Sequence, residues 1–175
     1  MEEREHPAWL SEVVFRQAVE SDLPALEWNG QFQHFRQIYQ DVYRLSLRGE
    51  ATIWVAELPE VELIGQLFVQ LKSARFELAD GKSSAYIFGF RVKPEYRGFG
   101  VGSRMMEWVE EDLLSKGYKR VNLNVNHDNI RARNLYERLG YRVIGEEPGN
   151  WSYIDDKGKL QDVNEPAWRM GKKLT

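Results

Sequence analysis

Residues 92–103 read Val-Lys-Pro-Glu-Tyr-Arg-Gly-Phe-Gly-Val-Gly-Ser, and they indicate the fold more clearly than any other stretch of the chain. The apolar run 85–92 predicts a buried strand that ends near Pro94, and a helical pattern begins at Val101. The first backbone N–H groups of a helix have no partner and lie at the positive end of its dipole, so this turn is suited to bind an anion. Arg97 adds a positive charge there. The stretch therefore predicts a ligand that carries phosphate.

Two common phosphate-binding patterns do not fit this turn. Neither register of the dinucleotide fingerprint G-x-G-x-x-G has glycine at the last position. The P-loop pattern would need glycine five residues before Gly81-Lys82-Ser83, where Phe76 stands, so that stretch favours a hairpin turn. The pattern that fits is Arg97-x-x-Gly100-x-Gly102, which resembles the acyl-CoA pyrophosphate loop of the GNAT superfamily of N-acyltransferases. A purely structural strand–helix turn is the alternative.

A second segment strengthens the resemblance. Residues 120–126 alternate apolar and polar side chains, which is typical of a strand with one buried face. A helix predicted over residues 129–140 follows, and its apolar side chains share one stripe. The stripe consists of Ala132, Leu135, Tyr136 and Leu139. This segment resembles the other GNAT half-site, which has the order strand, Asn, Ala, Leu-Tyr, Gly-Tyr. One helix's length separates it from the glycine turn.

The resemblance covers almost the whole chain and implies an α/β (α+β) GNAT fold. Its central sheet would be mixed, mostly antiparallel and of six to seven strands, with about four flanking helices and a splay between strands four and five. The predicted order is β-α-α-β-β-β-α-β-α-β, with a short helix around Pro24, an amphipathic helix from Phe32 and a last strand near 167–172. We expect a single GNAT domain over residues 1–175, with its core at about 13–173.

Composition limits the remaining possibilities. The chain has 175 residues, 42% of them hydrophobic, and no cysteine, which excludes disulfides, thiolate metal sites and a cysteine nucleophile. A net charge of −3 argues against nucleic-acid binding. The apolar runs are too short to span a bilayer, and Met-Glu-Glu-Arg-Glu is not typical of a signal peptide. We expect a soluble, cytoplasmic protein with no metal and no membrane contact, for which a homodimer is plausible.

The resemblance implies acetyl-CoA as co-substrate and assigns residues to it. The backbone of Phe90, Arg91 and Val92 would pair with the pantetheine arm as an extra strand, and one N–H would polarise the thioester carbonyl. The pyrophosphate would lie on Arg97, Gly98, Phe99, Gly100, Val101, Gly102 and Ser103. Asn129 resembles the asparagine that bonds the arm, although a helix cap is an alternative. Four basic residues are candidates for the 3′-phosphate, with solvated surface charge as the commoner explanation: Lys93, Arg104, Arg131 and Arg133.

Tyr136 is the predicted catalytic residue, because by resemblance it would give a proton to the departing thiolate. The alternative is a plain core aromatic, since Tyr136 lies on the buried stripe of its helix. No general base is assigned, because the predicted central strand, 86–90, contains no carboxylate. The candidates for the base are a water chain, Glu77, His34 and a residue of the C-terminal segment. His34 could equally be a structural residue.

The acceptor is not identified by the sequence. The aromatic and acidic stretch 148–158 could receive a cationic amine, or it could form a β-hairpin whose turn is Asp156-Lys157-Gly158. Trp28, Phe32 and Phe35 could line the pocket or fill the core. The predicted function is transfer of an acetyl group from acetyl-CoA to a primary amine of a small molecule or peptide by direct attack. The alternative is a non-catalytic acyl-CoA-binding module, which would need neither Tyr136 nor an open acceptor pocket.

Overall fold

The computed structural model describes residues 6–175, and the N-terminal Met-Glu-Glu-Arg-Glu lies outside them. Nine strands are described: β1 (Val14–Gln17), β2 (Ala51–Leu58), β3 (Glu62–Gln70), β4 (Ser84–Val92), β5 (Arg120–Asn126), β6 (Arg142–Glu147), β7 (Asn150–Ile154), β8 (Leu160–Asn164) and β9 (Ala167–Lys173). The α-helices are α1 (Arg36–Leu47), α2 (Val101–Ser115) and α3 (Ile130–Arg138). Short 3₁₀ helices cover Ala8–Glu12, Glu20–Glu27, Gln33–Phe35 and Pro94–Tyr96.

Seven strands form one mixed sheet in the order β1-β2-β3-β4-β5-β9-β6, and β7 with β8 forms a separate hairpin. Every neighbouring pair in the sheet is antiparallel except β4 with β5. With the 3₁₀ helix Glu20–Glu27, the three α-helices make four flanking helices. The predicted fold class is therefore confirmed. In the described part of the chain, no helix combines the length and the apolar character that crossing a membrane requires.

The two N-terminal helices differ from their predicted form. The helix around Pro24 is a 3₁₀ helix, because proline has no N–H to donate and cannot continue a regular α-helix. The helix predicted from Phe32 begins as a 3₁₀ turn and becomes α-helical only at Arg36. The last strand, β9, lies where the sequence predicts it.

Apolar cores lie on both faces of the sheet, which explains why most side chains of β2 and β3 are apolar. Successive β2 residues alternate between the faces: Trp54 packs with α2 and α3, whereas Val55 packs with α1. The core side chains of α2 and α3 include Met105, Val109 and Tyr136, and those of α1 include Tyr39 and Val42. Each face of the sheet therefore supports a different set of helices.

The sheet opens between β4 and β5, as the resemblance predicts. The two strands pair only from Ser84 with Arg120 to Ile87 with Leu123. Beyond these residues β4 continues to Val92 and β5 to Asn126 without a shared partner. The facing backbone edges of the two central strands are therefore available to a ligand.

A bulge in β4 begins beside this opening. The pairing of β3 with β4 shifts between Gln66 with Arg91 and Phe68 with Phe88. Gly89 lies in the shift with φ of +62°, and a Cβ built there would collide with the Phe68 ring. Glycine is needed here for two reasons, the left-handed backbone and the close approach of the ring.

We expect Gly89→Ala to lower the free energy of unfolding by about 2–4 kcal/mol, because it combines a left-handed alanine with overpacking. Denaturant titration would measure the change. Gly145→Ala is the matched control on β6, because its φ is not positive and no atom lies within 4 Å of the added methyl. Equal stability losses in the two variants would contradict this account of the bulge.

Candidate functional site

A cleft with a volume of about 1310 Å³ crosses the molecule at the splay. Its walls are β4, the turn before α2, α3, α1 and the β7–β8 hairpin. All the predicted site residues except Phe99 line it: Phe90, Arg91, Val92, Arg97, Gly98, Gly100, Val101, Gly102, Ser103, Asn129 and Tyr136. The tertiary structure thus brings together two strings that are separated in sequence by α2 and β5.

Phe99 is the exception among the predicted site residues. Its ring packs edge-on against Trp9, with centroids 5.3 Å apart, and Trp9 packs in the same way against Tyr96. Aromatic rings gain more from such contacts than from exposure in a polar turn. The side chain of Phe99 therefore belongs to the packing behind the turn, and only its backbone is placed to take part in anion binding.

The glycine turn has the geometry of an anion cradle. Gly98 and Gly100 have φ of +83° and +87°, and Gly100 is the N-cap of α2 with no side-chain hydrogen bond to cap the helix. The N–H groups of the first helical turn, including Gly102, consequently have no partner within the helix. A Cβ on Gly102 would stand 3.1 Å from Cζ of Phe90, so a larger residue would crowd the cleft wall. This turn fits a phosphate group.

The basic side chains at this end of the cleft lack acidic partners. Arg97 donates from Nε to the carbonyl oxygen of Val92 at 2.7 Å, so its side chain secures the end of β4. Burial lowers the pKa of Arg97, and the neighbouring charge of Arg131 lowers it further. Arg131 and Arg138 also line the cleft, and among residues 6–175 neither has a carboxylate within 4.0 Å. An anion bound here would relieve this repulsion.

The candidates for the 3′-phosphate divide into two groups. Arg131 lines the cleft, whereas Arg104 does not. Arg133 and Lys93 lie outside the cleft wall and form ion pairs with Glu137 at 3.0 Å and Glu62 at 2.7 Å. Arg138 is a cleft residue that sequence reasoning missed, because helical periodicity alone does not show which way the end of α3 points.

Asn129 caps α3. Its Oδ1 accepts a hydrogen bond from the backbone N–H of Ala132 at 3.2 Å, and its side chain also lines the cleft. The cap uses the amide oxygen, which leaves the side-chain NH₂ as a donor. The two predicted roles are therefore geometrically compatible, and ligand binding by Asn129 stays a prediction.

Tyr136 lies on α3 at the splay with only 7% of its surface exposed. Its ring lies 6.4 Å from Phe90 and 5.9 Å from Tyr141, measured between centroids. Its hydroxyl has no hydrogen-bond partner among the described residues, and burial raises its pKa, as does the nearby Tyr86. Tyr136 therefore keeps its proton at neutral pH and lines the cleft, and its catalytic role stays a prediction.

A polar network under the cleft was missed by sequence reasoning. Asn124 of β5 donates to the Tyr86 hydroxyl at 3.1 Å and accepts from Arg169 of β9 at 2.7 Å. Arg169 also donates to Glu147, which accepts from Arg75 at 3.0 Å. The alternating polar positions of β5 were the visible signal, but their partners lie up to 45 residues away. This network joins the strands on either side of the splay.

Glu147 is the central anion of that network. Its carboxylate is 11% exposed, and its pKa is lowered, first by the Arg75 hydrogen bond and then by the charges of Arg75 and Arg169. Glu77, a base candidate from the sequence, is outside the cleft wall and is held by Arg75 at 2.9 Å. His34, the other named candidate, lines the cleft and packs on Phe35 with centroids 4.1 Å apart.

Aromatic side chains line the half of the cleft between α1 and the hairpin. Phe35 packs edge-on against Tyr153 at 5.1 Å, and Trp151 lies 5.3 Å from Tyr153. Phe32 also lines the cleft, whereas Trp28 is 9% exposed and packs behind it. Phe32 and Phe35 are thus placed as pocket residues, and Trp28 as a core residue.

Residues 148–158 include the β-hairpin turn that one of the two alternatives predicts, whereas reception of a cationic amine stays a prediction. The acidic side chains of this stretch do not line the cleft. Asp155 accepts backbone N–H groups from Lys157 and Lys159 in the turn, and Asp156 accepts from Gln33 at 2.8 Å. The aromatics of the hairpin therefore line the cleft while its carboxylates stabilise the turn and the contact with the segment before α1.

We expect Glu147→Gln to lower the free energy of unfolding by about 1.5–3 kcal/mol at pH 7, because two arginines lose a charged acceptor. The folded-state pKa of Glu147 is lowered from its ordinary value of 4.5, so its stabilisation is complete above that value and is lost as pH falls through the lowered pKa. Denaturant titrations between pH 7 and pH 3 should therefore show wild type and variant converging in acid.

Glu165→Gln is the matched control, because Glu165 lines the same cleft without an ion pair to a described residue. It should change stability by less than about 0.5 kcal/mol. Parallel pH profiles for wild type and Glu147→Gln would contradict the proposed importance of the network.

Comparisons with known proteins agree with this geometry. The model of the Acetyltransferase (GNAT) family matches residues 15–141. Thialysine N-epsilon-acetyltransferase of Bos taurus is 42% identical over 64 residues, which are 37% of this chain and 38% of the bovine protein. The chain thus matches about two fifths of the length of this curated relative.

Solved structures share the fold along nearly the whole chain. NAA60 of Arabidopsis thaliana in complex with acetyl-CoA has a TM-score of 0.69 at 21% identity, over 93% of this chain and 98% of that one. Spermidine/spermine N-acetyltransferase SpeG of Vibrio cholerae has a TM-score of 0.69 at 16% identity, over 95% of each chain. Identities this low establish the fold alone, whereas the family model spans most of the sequence. The chain belongs to the Acetyltransferase (GNAT) family.

Proposed function

We propose that this protein is an acetyl-CoA-dependent N-acetyltransferase that acts on a primary amine of a small molecule or peptide. The observation that carries the proposal is one continuous cleft, which joins an anion-binding turn to an aromatic half through the splay, with Tyr136 lining it. The thialysine N-epsilon-acetyltransferase relative and the acetyl-CoA complex of the NAA60 neighbour support the choice of donor and of an amine acceptor.

The donor would occupy the half of the cleft formed by the turn and α3. The N–H groups at the start of α2 suit the pyrophosphate, and Arg131 and Arg138 suit the remaining phosphate charge. The unpaired edge of β4 from Phe88 to Val92 suits the amides of the pantetheine arm, which would add to the sheet as a short strand does. The thioester would then lie at the splay.

The reaction needs few protein groups, because a neutral amine attacks a thioester directly. A C–N bond forms, the C–S bond breaks, and the amine nitrogen loses a proton to water in the cleft. The sulfur gains a proton from Tyr136, and Tyr136 regains one from that water. Burial raises the pKa of Tyr136, so the phenol is protonated at neutral pH and is available to the departing sulfur. Holding the two reactants on opposite sides of one opening supplies most of the acceleration.

We expect Tyr136→Phe to lower kcat by roughly 10- to 1000-fold, because the proton donor is lost while the ring contacts with Phe90 remain. Tyr141→Phe is the matched control: Tyr141 packs against Tyr136, but its hydroxyl donates to Glu110 outside the cleft. The absence of cysteine lets a thiol-reactive dye report only released CoA. Turnover by Tyr136→Phe at the wild-type rate would remove the role.

Acetyl-CoA should stabilise the protein, and this is the direct test of the proposed donor. At about 100 times its Kd the ligand adds about 2.7 kcal/mol, which raises Tm by roughly 5–10 °C for a chain of this size. NAD and ATP, as controls, should give smaller shifts.

Gly102→Ala should weaken acetyl-CoA binding by about tenfold, because the added methyl displaces the Phe90 ring.

Gly145→Ala serves again as the control, because Gly145 lies outside the cleft. No Tm shift at millimolar acetyl-CoA would overturn the proposed function. A shift without CoA release from any amine would instead favour the non-catalytic acyl-CoA-binding module.

A further inference from the structure

We propose that Arg91 binds a carboxylate of the acceptor, so that the substrates are amino acids rather than simple amines or polyamines. This inference rests on the proposed function and specifies the acceptor within it. The observation behind it is a cation on the acceptor side of the cleft that has no acidic partner among residues 6–175.

The position of Arg91 assigns it to the acceptor half. Its neighbours on β4, Phe90 and Val92, pack with the core cluster of α2 and α3, where the donor would lie. The Arg91 side chain lies on the α1 face of the sheet, beside Tyr39 and the segment before α1, because successive side chains of a strand alternate between the faces. Its guanidinium carbon is 4.1 Å from the centroid of Phe32 and 5.5 Å from that of Phe35.

Apart from Glu165, the carboxylates around this half of the cleft are paired with arginines. Asp41 pairs with Arg44 at 2.8 Å, and Glu147 is shared by Arg75 and Arg169. Glu165 lines the cleft from the hairpin side with an exposed side chain. Arg91 is half-buried, and no described carboxylate lies within 4.0 Å of it. A partly desolvated charge without a counter-ion is unfavourable, and an anionic group on the ligand would neutralise it.

The hydrogen bonds of Arg91 show which edge is open. Among residues 6–175, the Arg91 side chain makes one hydrogen bond, from Nη1 to the Tyr39 hydroxyl at 3.2 Å. The Phe32 ring covers one face of the guanidinium, and Nη1 is used by Tyr39. The edge formed by Nε and Nη2 therefore remains for a ligand. That edge presents two parallel N–H donors, which match the two oxygens of a planar carboxylate.

A second unsatisfied donor lies beside Arg91. Gln66 faces Arg91 in the register of β3 with β4, so both side chains lie on the same face of the sheet. Gln66 is 1% exposed, and its Nε2 makes no hydrogen bond of ordinary geometry with a described residue, although Gln66 interacts with the Tyr39 hydroxyl. Gln66 does not line the cleft, so Arg91 is the member of this pair that a ligand can reach.

The test compares acceptors that differ only in the carboxylate. L-Lysine, L-lysinamide and 1,5-diaminopentane form one series, and L-thialysine with its amide forms a second. Released CoA gives kcat/KM for each compound, and calorimetric titration of the CoA-bound protein gives its affinity. We expect the carboxylate forms to exceed their amides by about 10- to 100-fold in both measurements, because a bidentate ionic hydrogen bond is lost in the amide.

Arg91→Met should bring the ratio of acid to amide close to one, and Arg91→Lys should restore part of it, since lysine keeps the charge without the fork. Arg133→Met is the matched control, because Arg133 also lies over an aromatic ring, Trp168 at 5.4 Å, but outside the cleft wall. The control should keep the wild-type ratio. The Tm shift with acetyl-CoA verifies that each variant is folded and keeps the donor site.

The outcomes separate this inference from the proposed function. Absence of acetyl-CoA binding would overturn the proposed function and this inference with it. If acetyl-CoA binds but lysinamide or diaminopentane is used or bound as well as lysine, the role of Arg91 is wrong while the enzyme remains. A wild-type ratio that persists in Arg91→Met would also overturn it. If no compound is turned over, the calorimetric ratio alone decides the role of Arg91.

Discussion

The separation of β4 from β5 is the constraint on which the rest of the structure depends. Two central strands of a seven-stranded sheet stop sharing hydrogen bonds after Ile87 and Leu123. Leaving backbone groups without partners in the middle of a sheet is unfavourable, so the surrounding elements must hold the strands apart. The Gly89 bulge redirects β4, Arg97 secures its end through the Val92 carbonyl, and the network around Glu147 joins the strands beyond the opening.

This opening also connects the two faces of the sheet. The core of α2 and α3 lies on one face and that of α1 on the other, so a group placed at the splay is accessible from both. Tyr136 approaches from the first face and Arg91 from the second. A reaction between two substrates needs such an arrangement, because donor and acceptor can bind separately and still meet at one point.

Charge is distributed along the cleft in three different ways. The end at the glycine turn carries Arg97, Arg131 and Arg138, none of which forms an ion pair within residues 6–175, and this suits a ligand with several negative charges. The floor is neutralised internally, because the Glu147 carboxylate is shared by two arginines. The half beside α1 carries Arg91 against aromatic rings, with no carboxylate of the described chain within 4.0 Å. The paired charges therefore maintain the fold, and the unpaired ones are available to ligands.

The sequence by itself determined the glycine turn, the stripe of α3 and the order of the elements, because these depend on backbone freedom and periodicity within short spans. Only the tertiary structure decided which side chains share the cleft. In that structure the ring of Phe99 packs on Trp9, Arg133 pairs with Glu137 outside the cleft, and Arg91 lies over Phe32. Such contacts join residues tens of positions apart, and they depend on how helices pack on each face of a twisted, splayed sheet, which no local pattern records.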